Sequence, residues 1–245
     1  ADAVFDLVQQ LSGRPEPRRF AAMLARATDG NPFYMAETLR HLVERGMLSA
    51  AADGSWQTPY DDSTIGYEEL PLPESVRSAV LGRVARLPER ARRVLEAAAL
   101  ADEPFGAALL APACALSEVE ASLALEDALS ARLLREADGG GLAFMHHLVQ
   151  QAMDSALEPA RRRSVHRRLA LGAAAAGAPP ARIAAHHEAG GEAQRAVPWR
   201  RRAGDEAMRL HAVDDAIVQW RQALADGADP GAALALRIAL LRALE

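Results

Sequence analysis

The stretch LLREADGGGLAFMH, residues 133–146, has three consecutive glycines between two short segments that contain apolar residues. Glycine adopts positive φ angles without steric cost, so such a run favours a tight reversal of the chain. Short segments on both sides of a turn signal are typical of paired strands. The stretch therefore predicts a small β-hairpin, and the rest of the fold is interpreted around it.

Three helices are predicted between residue 72 and this hairpin. Apolar residues recur at spacings of three and four in LPESVRSAVLGRVARL, in LPERARRVLEAAALA and in LSEVEASLALEDALSARLL. In the third segment, Ser117 followed by Glu120 predicts a capping box at the start of the helix. Three helices followed by a strand, a glycine turn and a strand indicate a winged-helix domain over residues 73–157. A bare helical bundle with an attached hairpin is the alternative.

The segment before this domain, residues 1–57, is predicted to form helices followed by a hairpin. Its apolar residues have helical spacing, the TDGNP sequence interrupts them, and Gly46 ends the last helix. Asp53-Gly54 is a hairpin signal between two short strands. Residues 58–72 are polar and carry no clear period, which indicates a linker.

Residues 158–245 are predicted to be helical throughout and rich in alanine. The breaks lie near residues 177–180, 190–191 and 227–230. A tetratricopeptide-like unit needs close helix approach, then a bulky side chain, then another small residue. The positions with this pattern are Gly204, Ala216, Trp220 and Ala223. A plain helical hairpin with alanines at its contact is the alternative, so the fold class expected for the whole chain is mainly α with small hairpins.

Composition narrows the class of protein. Half of the 245 residues are hydrophobic, which is enough to bury cores, and the net charge of −5 gives no overall attraction to nucleic acid. Cys114 is the single cysteine, so no internal disulfide can form. The most apolar region, residues 95–116, contains acidic residues and prolines that disfavour a membrane span. We expect a cytoplasmic protein with no membrane segment.

The chain contains no lysine, and all 28 of its basic residues are arginines. A phosphate-binding P-loop needs a lysine as a point charge on the β and γ phosphates. Schiff-base chemistry and S-x-x-K nucleophiles need lysine as well. We therefore expect no catalysis from this chain alone, although a longer parent protein could be an ATPase.

Adjacent histidines raise the question of a metal site. The two pairs are His146-His147 and His186-His187, but neither lies in an H-E-x-x-H pattern and no C-x-x-C is present. A nucleophilic triad is also disfavoured, because there is no G-x-S-x-G elbow and Cys114 lies in an apolar run. No catalytic residues and no metal ligands are predicted.

Two features bear on nucleic-acid binding. The segment PARRRSVHRRLA has five arginines within eight residues, yet helical spacing would bury Val165, Leu169 and Ala173 and leave the arginines on a solvated face. The third helix of a winged-helix domain commonly enters the major groove of DNA. Here that helix carries four carboxylates and one arginine. We expect no direct DNA binding, because carboxylates are repelled by a polyanion.

Two segments, ATDGNPFYMAETLRHLVERGML and FMHHLVQQAM, make the sequence specific enough to compare with a family. In these and in the order of the segments around them, the chain resembles the region that follows the nucleotide-binding core of STAND ATPases. That signal-transduction class includes the large ATP-dependent LuxR-type and maltose-activator-like bacterial transcriptional regulators. The shared order is lid helices, a winged helix, a histidine after the wing, and tetratricopeptide-like helices. It covers essentially the whole chain.

The resemblance implies roles for four residues. Gly30 and Pro32 would form the lid turn that packs on the adenine, with Asn31 between them. His146 would reach the terminal phosphate of bound ADP and hold a closed, inactive state. The implied cofactor is ATP or ADP, and only together with a nucleotide-binding core that this chain lacks. A core histidine that is satisfied by a backbone carbonyl is the alternative for His146.

The implied function is regulation, in which the helical repeats receive a signal and pass it to the nucleotide switch. The implied partners are a nucleotide-binding core and a small inducer or protein on the repeats. Departures from the family pattern, at His147, Gln150, Gln151 and Asp154, weaken the expected contact with nucleotide. Without a P-loop, the chain is expected to be a fragment or a degenerate relative. The alternatives are a stand-alone winged-helix DNA-binding regulator and a repeat scaffold that has lost nucleotide.

Overall fold

The structure is a computed structural model, and it describes residues 2–12, 18–28, 30–52, 55–57, 72–101 and 104–243. Over these residues the chain is mainly helical, with two small two-stranded sheets, as the sequence predicts. None of the described helices is by itself both long and apolar enough to cross a membrane. Asp53-Gly54 and residues 58–71, most of the predicted linker, lie outside the described residues.

The chain is built from short and medium-length helices with four very short strands. The helices are α1 (Asp2–Ser12), α2 (Arg18–Thr28), α3 (Pro32–Glu44), α4 (Glu74–Val84), α5 (Glu89–Leu100), α6 (Ala107–Cys114), α7 (Glu118–Ser130), α8 (His147–Ser155), α9 (Pro159–Ala175), α10 (Pro180–Ala189), α11 (Ala193–Arg209), α12 (Val213–Ala225) and α13 (Pro230–Ala243). The strands are β1 (Ser49–Ala50), β2 (Trp56–Gln57), β3 (Leu134–Glu136) and β4 (Leu142–Phe144), paired as β1-β2 and β3-β4.

The chain divides into two compact units that interleave along the sequence. The first unit comprises residues 1–87, 129–135 and 144–156, and the second comprises residues 88–128, 136–143 and 157–245. The predicted winged-helix range 73–157 is divided between the two units. This division does not decide the predicted domain boundaries, which stay predictions.

The first unit is built around α1, α2 and α3, with α8 packed on α2 and α4. Val8, Leu24 and Leu42 are fully buried in its core. The strand pair β1-β2 follows α3 and is antiparallel, and its Trp56 ring packs edge-on against Phe20. These contacts hold α3 through its apolar face, which leaves the start of that helix at the surface.

The second unit contains a short helix that the sequence pattern does not indicate, so the described residues between residue 72 and the hairpin form four helices and not the predicted three. This helix, α6, has Pro112 inside it and ends at Ala115 with a positive φ of 53°. It packs on α9, where Gly172 approaches so closely that a Cβ at this position would lie less than 3.0 Å from the backbone oxygen of Leu109. Just before α6, Phe105 forms an antiparallel bridge with Leu142 of the glycine-turn hairpin.

The predicted capping box at the start of α7 is confirmed. The Glu120 side chain accepts a hydrogen bond of 2.9 Å from the Ser117 backbone N–H, and the Ser117 hydroxyl oxygen accepts one of 3.3 Å from the Glu120 N–H. The hydrogen bonds from the Ser117 hydroxyl and backbone lower the pKa of the exposed Glu120 carboxyl. Reciprocal capping of this kind fixes where the helix begins.

The arginine-rich helix α9 has the predicted buried stripe. Val165, Leu169 and Ala173 are all buried. Outside that stripe, Arg161 pairs with Glu96 of α5 at 2.9 Å. The remaining helices α10 to α13 pack in sequential pairs.

The predicted small-bulky-small pattern lies at the contact of α11 with α12. Ala216, Trp220 and Ala223 are buried, and a Cβ on Gly204 would lie less than 3.0 Å from the indole of Trp220. The indole N–H donates a hydrogen bond of 3.2 Å to Asp205. Between these two helices the chain turns through His211, which has a φ of 58° although it is not a glycine.

The buried thiol of Cys114 provides a pH-dependent prediction. Burial raises its pKa from 9.0 to about 11, and the nearby Arg93 guanidinium opposes this rise. The folded state therefore favours the protonated thiol, and this contribution to stability is present below pH 9 and is lost as the pH rises through about 11.

We expect alkylation of Cys114 by iodoacetamide at pH 8 to be roughly 100-fold slower in the folded chain than in urea, because the thiolate is the reactive species. The measurement is the labelling rate by mass spectrometry. Equal rates in both states would contradict the burial of this thiol.

Candidate functional site

The lid turn predicted from the sequence forms the start of α3. The Asn31 side-chain oxygen accepts hydrogen bonds from the backbone N–H groups of Phe33 at 3.0 Å and Tyr34 at 3.4 Å. Pro32 occupies the first helical turn, where its missing N–H and fixed φ are compatible with the helix. Gly30 has a φ of 71°, a conformation that side chains rarely adopt. These three residues therefore set the position at which the helix begins.

Two neighbouring side chains give the lid turn an exposed apolar surface. These are the side chains of Pro32, which is exposed, and of Phe33, which keeps 51% of its surface accessible. Gly30, just before them, is exposed as well. A flat aromatic ring in this position can stack on a planar ligand. Tyr34, the next residue, points into the protein and is only 5% exposed.

His146 lies at the junction of β4 and α8. It is the N-cap residue of α8, with an extended backbone (φ −143°, ψ 142°), and its side chain makes no capping hydrogen bond to the helix. Its ring is half-buried, whereas His147, in the first turn of the helix, is exposed. The two histidines therefore have different surroundings, as expected for adjacent residues at a helix start.

The structure links His146 to the lid helix through Tyr34. The two rings meet edge to face, with centroids 5.2 Å apart and an interplanar angle of 88°. Both residues belong to the first unit. The contact places the first turn of α3, which begins with Asn31 and Pro32, beside the first turn of α8.

Tyr34 is not among the residues that the sequence predicts for the site. Its only signal in the sequence is an aromatic side chain in the first turn after the glycine-x-proline motif. Its partner His146 is far away along the chain, so the spacing of residues could not show the contact.

The electrostatics of the two helix starts differ. The N-terminus of an α-helix carries partial positive charge because its first N–H groups point outward without helical partners. In α3 two of these N–H groups donate to Asn31, whereas α8 has no side-chain cap. The start of α8, with an imidazole at its cap, is thus the end that suits an anion such as a phosphate.

Three further histidines form local hydrogen-bonded contacts in the second unit. His166 and His186 face each other with 3.1 Å between their Nδ1 atoms and 5.3 Å between ring centroids. The Nδ1 of His187 lies 3.1 Å from a carboxylate oxygen of Glu192. Among the described residues, no cluster of three or more histidine, cysteine or acidic side chains has the arrangement of a metal site.

Comparisons of the chain with protein-family models, with curated proteins and with solved structures found no significant match. Function must therefore be inferred from the geometry of the lid turn and His146, and from the order of the motifs along the sequence. That geometry consists of an exposed aromatic surface, a helix start and an imidazole within one compact unit.

Proposed function

We propose that this chain is the regulatory portion of a nucleotide-switched signal-transduction ATPase of the STAND class, from a transcriptional regulator. It would comprise the lid, the winged helix and the start of the sensor. The observation that carries the proposal is the contact between Tyr34 and His146, which joins the lid turn to the histidine that follows the wing. The resemblance to that class singles out both of these features.

In this proposal the two parts of the site bind different ends of a nucleotide that is held by a nucleotide-binding core. The exposed surface of Pro32 and Phe33 would pack on the adenine, beside Gly30 and Asn31. His146 and the start of α8 would bind the terminal phosphate of ADP. An imidazole has an ordinary pKa near 6.5 and gains a proton readily beside a phosphate, which makes the hydrogen bond charge-assisted.

The switch would arise from a difference between the two nucleotides. The state in which His146 contacts the phosphate binds ADP better, so ADP favours it over the open state. A nucleotide shifts such an equilibrium only by the difference in its affinity for the two states. The residue that makes the differential contact is therefore the residue to test, and His146→Ala is the deciding substitution.

The winged-helix assignment is supported by the order of elements around the glycine-turn hairpin. The chain runs through α5, the Phe105 bridge, α6, α7 and then β3 and β4. The sequence pattern predicts α4, α5 and α7 as the three helices of this fold, whereas the three helices that directly precede the two-stranded wing are α5, α6 and α7. The sensor assignment is supported by the sequentially packed helices α9 to α13 and by the close contact between Gly204 and Trp220.

A stand-alone DNA-binding regulator is the second candidate. In such a protein α7 would be the helix that enters the major groove of DNA. Its first turn carries Glu118 and Glu120, and Glu118 is exposed. We expect no sequence-preferring binding of duplex DNA, since these carboxylates would face the phosphates. A fluorescence-anisotropy titration with labelled duplexes at physiological salt checks this. Sequence-specific binding of duplex DNA with a Kd of about 10⁻⁸ M would contradict the proposed function and support this candidate.

A further inference from the structure

The second unit has a cavity of about 500 Å³ that is open to solvent, between α11 and the beginning of α13. On α11 it is lined by Gln194, Val197, Pro198 and Arg201. Counted from Gln194, the other three lie three, four and seven positions further along, so all four lie on one face of the helix. Gly227, Ala228, Asp229 and Ala232 line the opposite side. The cavity is large enough for a small organic molecule.

Arg201 differs from the other arginines of the same helix. Helix α11 has five arginines, and four of them lie within 4.0 Å of a carboxylate. These ion pairs are Arg195–Glu192, Arg200–Glu188, Arg202–Glu206 and Arg209–Glu206. Arg201, which lines the cavity and is exposed to solvent, has no carboxylate within 4.0 Å among the residues that the structure describes. A guanidinium that lines a cavity and has no carboxylate within ion-pair distance among the described residues can bind an anionic ligand.

Pro198 lies inside α11 and leaves one backbone carbonyl of the helix without its usual donor. Proline has no N–H, so the backbone carbonyl of Gln194 cannot accept the usual helical hydrogen bond from position 198. Gln194 and Pro198 both line the cavity, and a helical carbonyl points toward the residue four positions later. The residues that line the cavity thus include an arginine and a glutamine beside the apolar residues Val197, Pro198 and Ala232.

Asp229 limits the charge that a ligand can carry. Its Oδ1 atom accepts hydrogen bonds of 3.0 Å from the N–H groups of Gly231 and Ala232, so this carboxylate caps α13 and stays fixed at the cavity. A ligand with two or more negative charges would gain from Arg201 but would be repelled by Asp229. One negative charge next to an apolar body is the chemistry that the cavity accommodates best.

We propose that this cavity binds a small monocarboxylate with an apolar body, and that Arg201 holds its carboxylate. The signalling role of such a ligand depends on the proposed function, in which helices α9 to α13 belong to a sensor. The binding itself involves residues of α11 and of the segment from Gly227 to Ala232. Binding of the monocarboxylate is measured without nucleotide. A failure of this binding is therefore distinguishable from a failure of the proposed nucleotide switch.

The test is a titration of the full chain with 3-phenylpropanoate, in which binding is measured by ligand-observed NMR and by calorimetry. We expect saturable binding with a Kd on the order of 1 mM or tighter, which is reasonable for about eleven non-hydrogen atoms. Arg201→Gln should weaken binding by roughly ten-fold or more, because it removes a charge-assisted hydrogen bond. The uncharged 3-phenylpropanamide should bind to the unsubstituted chain as weakly as 3-phenylpropanoate binds to the Arg201→Gln variant.

Arg202→Gln is the matched control. It removes the same charge from the adjacent position, which pairs with Glu206 and lies over the Trp199 ring. This variant should keep the affinity for 3-phenylpropanoate within about two-fold, because a neighbouring helical position points about 100° away. Circular dichroism confirms that both variants are folded.

Three results would overturn the proposal. The first is the absence of saturable binding by 3-phenylpropanoate. The second is an equal loss of affinity in Arg201→Gln and Arg202→Gln, which would indicate a general charge effect. The third is inorganic phosphate that binds as tightly and competes, which would make the site one for phosphate rather than for a carboxylate.

Discussion

Gly172→Ala is expected to destabilise the protein by about 2 kcal/mol, the typical cost of overpacking a close contact. The new Cβ would lie less than 3.0 Å from the backbone oxygen of Leu109, in the contact between α9 and α6. A backbone atom held in a helix cannot move aside as the end of a flexible side chain can. The clash therefore outweighs the gain of roughly 0.5–1 kcal/mol that alanine normally brings in a helix.

The measurement is thermal unfolding, in which the midpoint should fall by roughly 4–8 °C for a chain of this size. Gly82→Ala is the matched control, because Gly82 lies in α4 and nothing lies within 4 Å of the Cβ that alanine would add there. That variant should be slightly more stable than the unsubstituted chain. If Gly172→Ala raises the midpoint as Gly82→Ala does, α6 and α9 are not in close backbone contact.

His146→Ala is expected to weaken ADP binding by roughly ten- to a hundred-fold in a protein that joins this chain to a nucleotide-binding core. A charge-assisted hydrogen bond to phosphate contributes roughly 1.5–3 kcal/mol, and each 1.4 kcal/mol is a factor of ten in affinity. ATP binding, which occurs mainly in the open state, should change less. The variant should therefore be active without inducer.

The measurement is the pair of dissociation constants for ADP and ATP, together with the melting temperature. His147→Ala is the control, since His147 is exposed and occupies the next helical position. Its ADP affinity should stay within about two-fold of the unsubstituted protein. A His146→Ala variant that melts at a lower temperature and keeps the same ratio of ADP to ATP affinity would identify His146 as a core residue packed on Tyr34.

Much of the local structure could be predicted from the sequence because it depends on neighbouring residues. Ser117 and Glu120 are three residues apart and cap each other wherever that turn forms. The stripe of Val165, Leu169 and Ala173 follows from the helical period alone. The glycines of the hairpin at residues 139–141 all have positive φ angles, which glycine adopts at the lowest cost.

Elements without such local signals could not be predicted. Helix α6 contains a proline, and its eight residues are too few for a clear apolar period. The turn between α11 and α12 passes through His211 in a conformation that usually indicates glycine or asparagine. In both places tertiary packing outweighs the weak preference of the local sequence.

For the candidate site, the sequence by itself determined the chemistry available: a glycine-x-proline turn, an imidazole after a hairpin, and the absence of the lysine that a P-loop needs. Only the tertiary structure decided which of these groups meet. The contact between Tyr34 and His146, and the position of Arg201 without a carboxylate partner among the described residues, both arise from helices packing side by side. Such packing depends on the shapes of both helix surfaces, and the spacing of residues within one helix specifies only its own face.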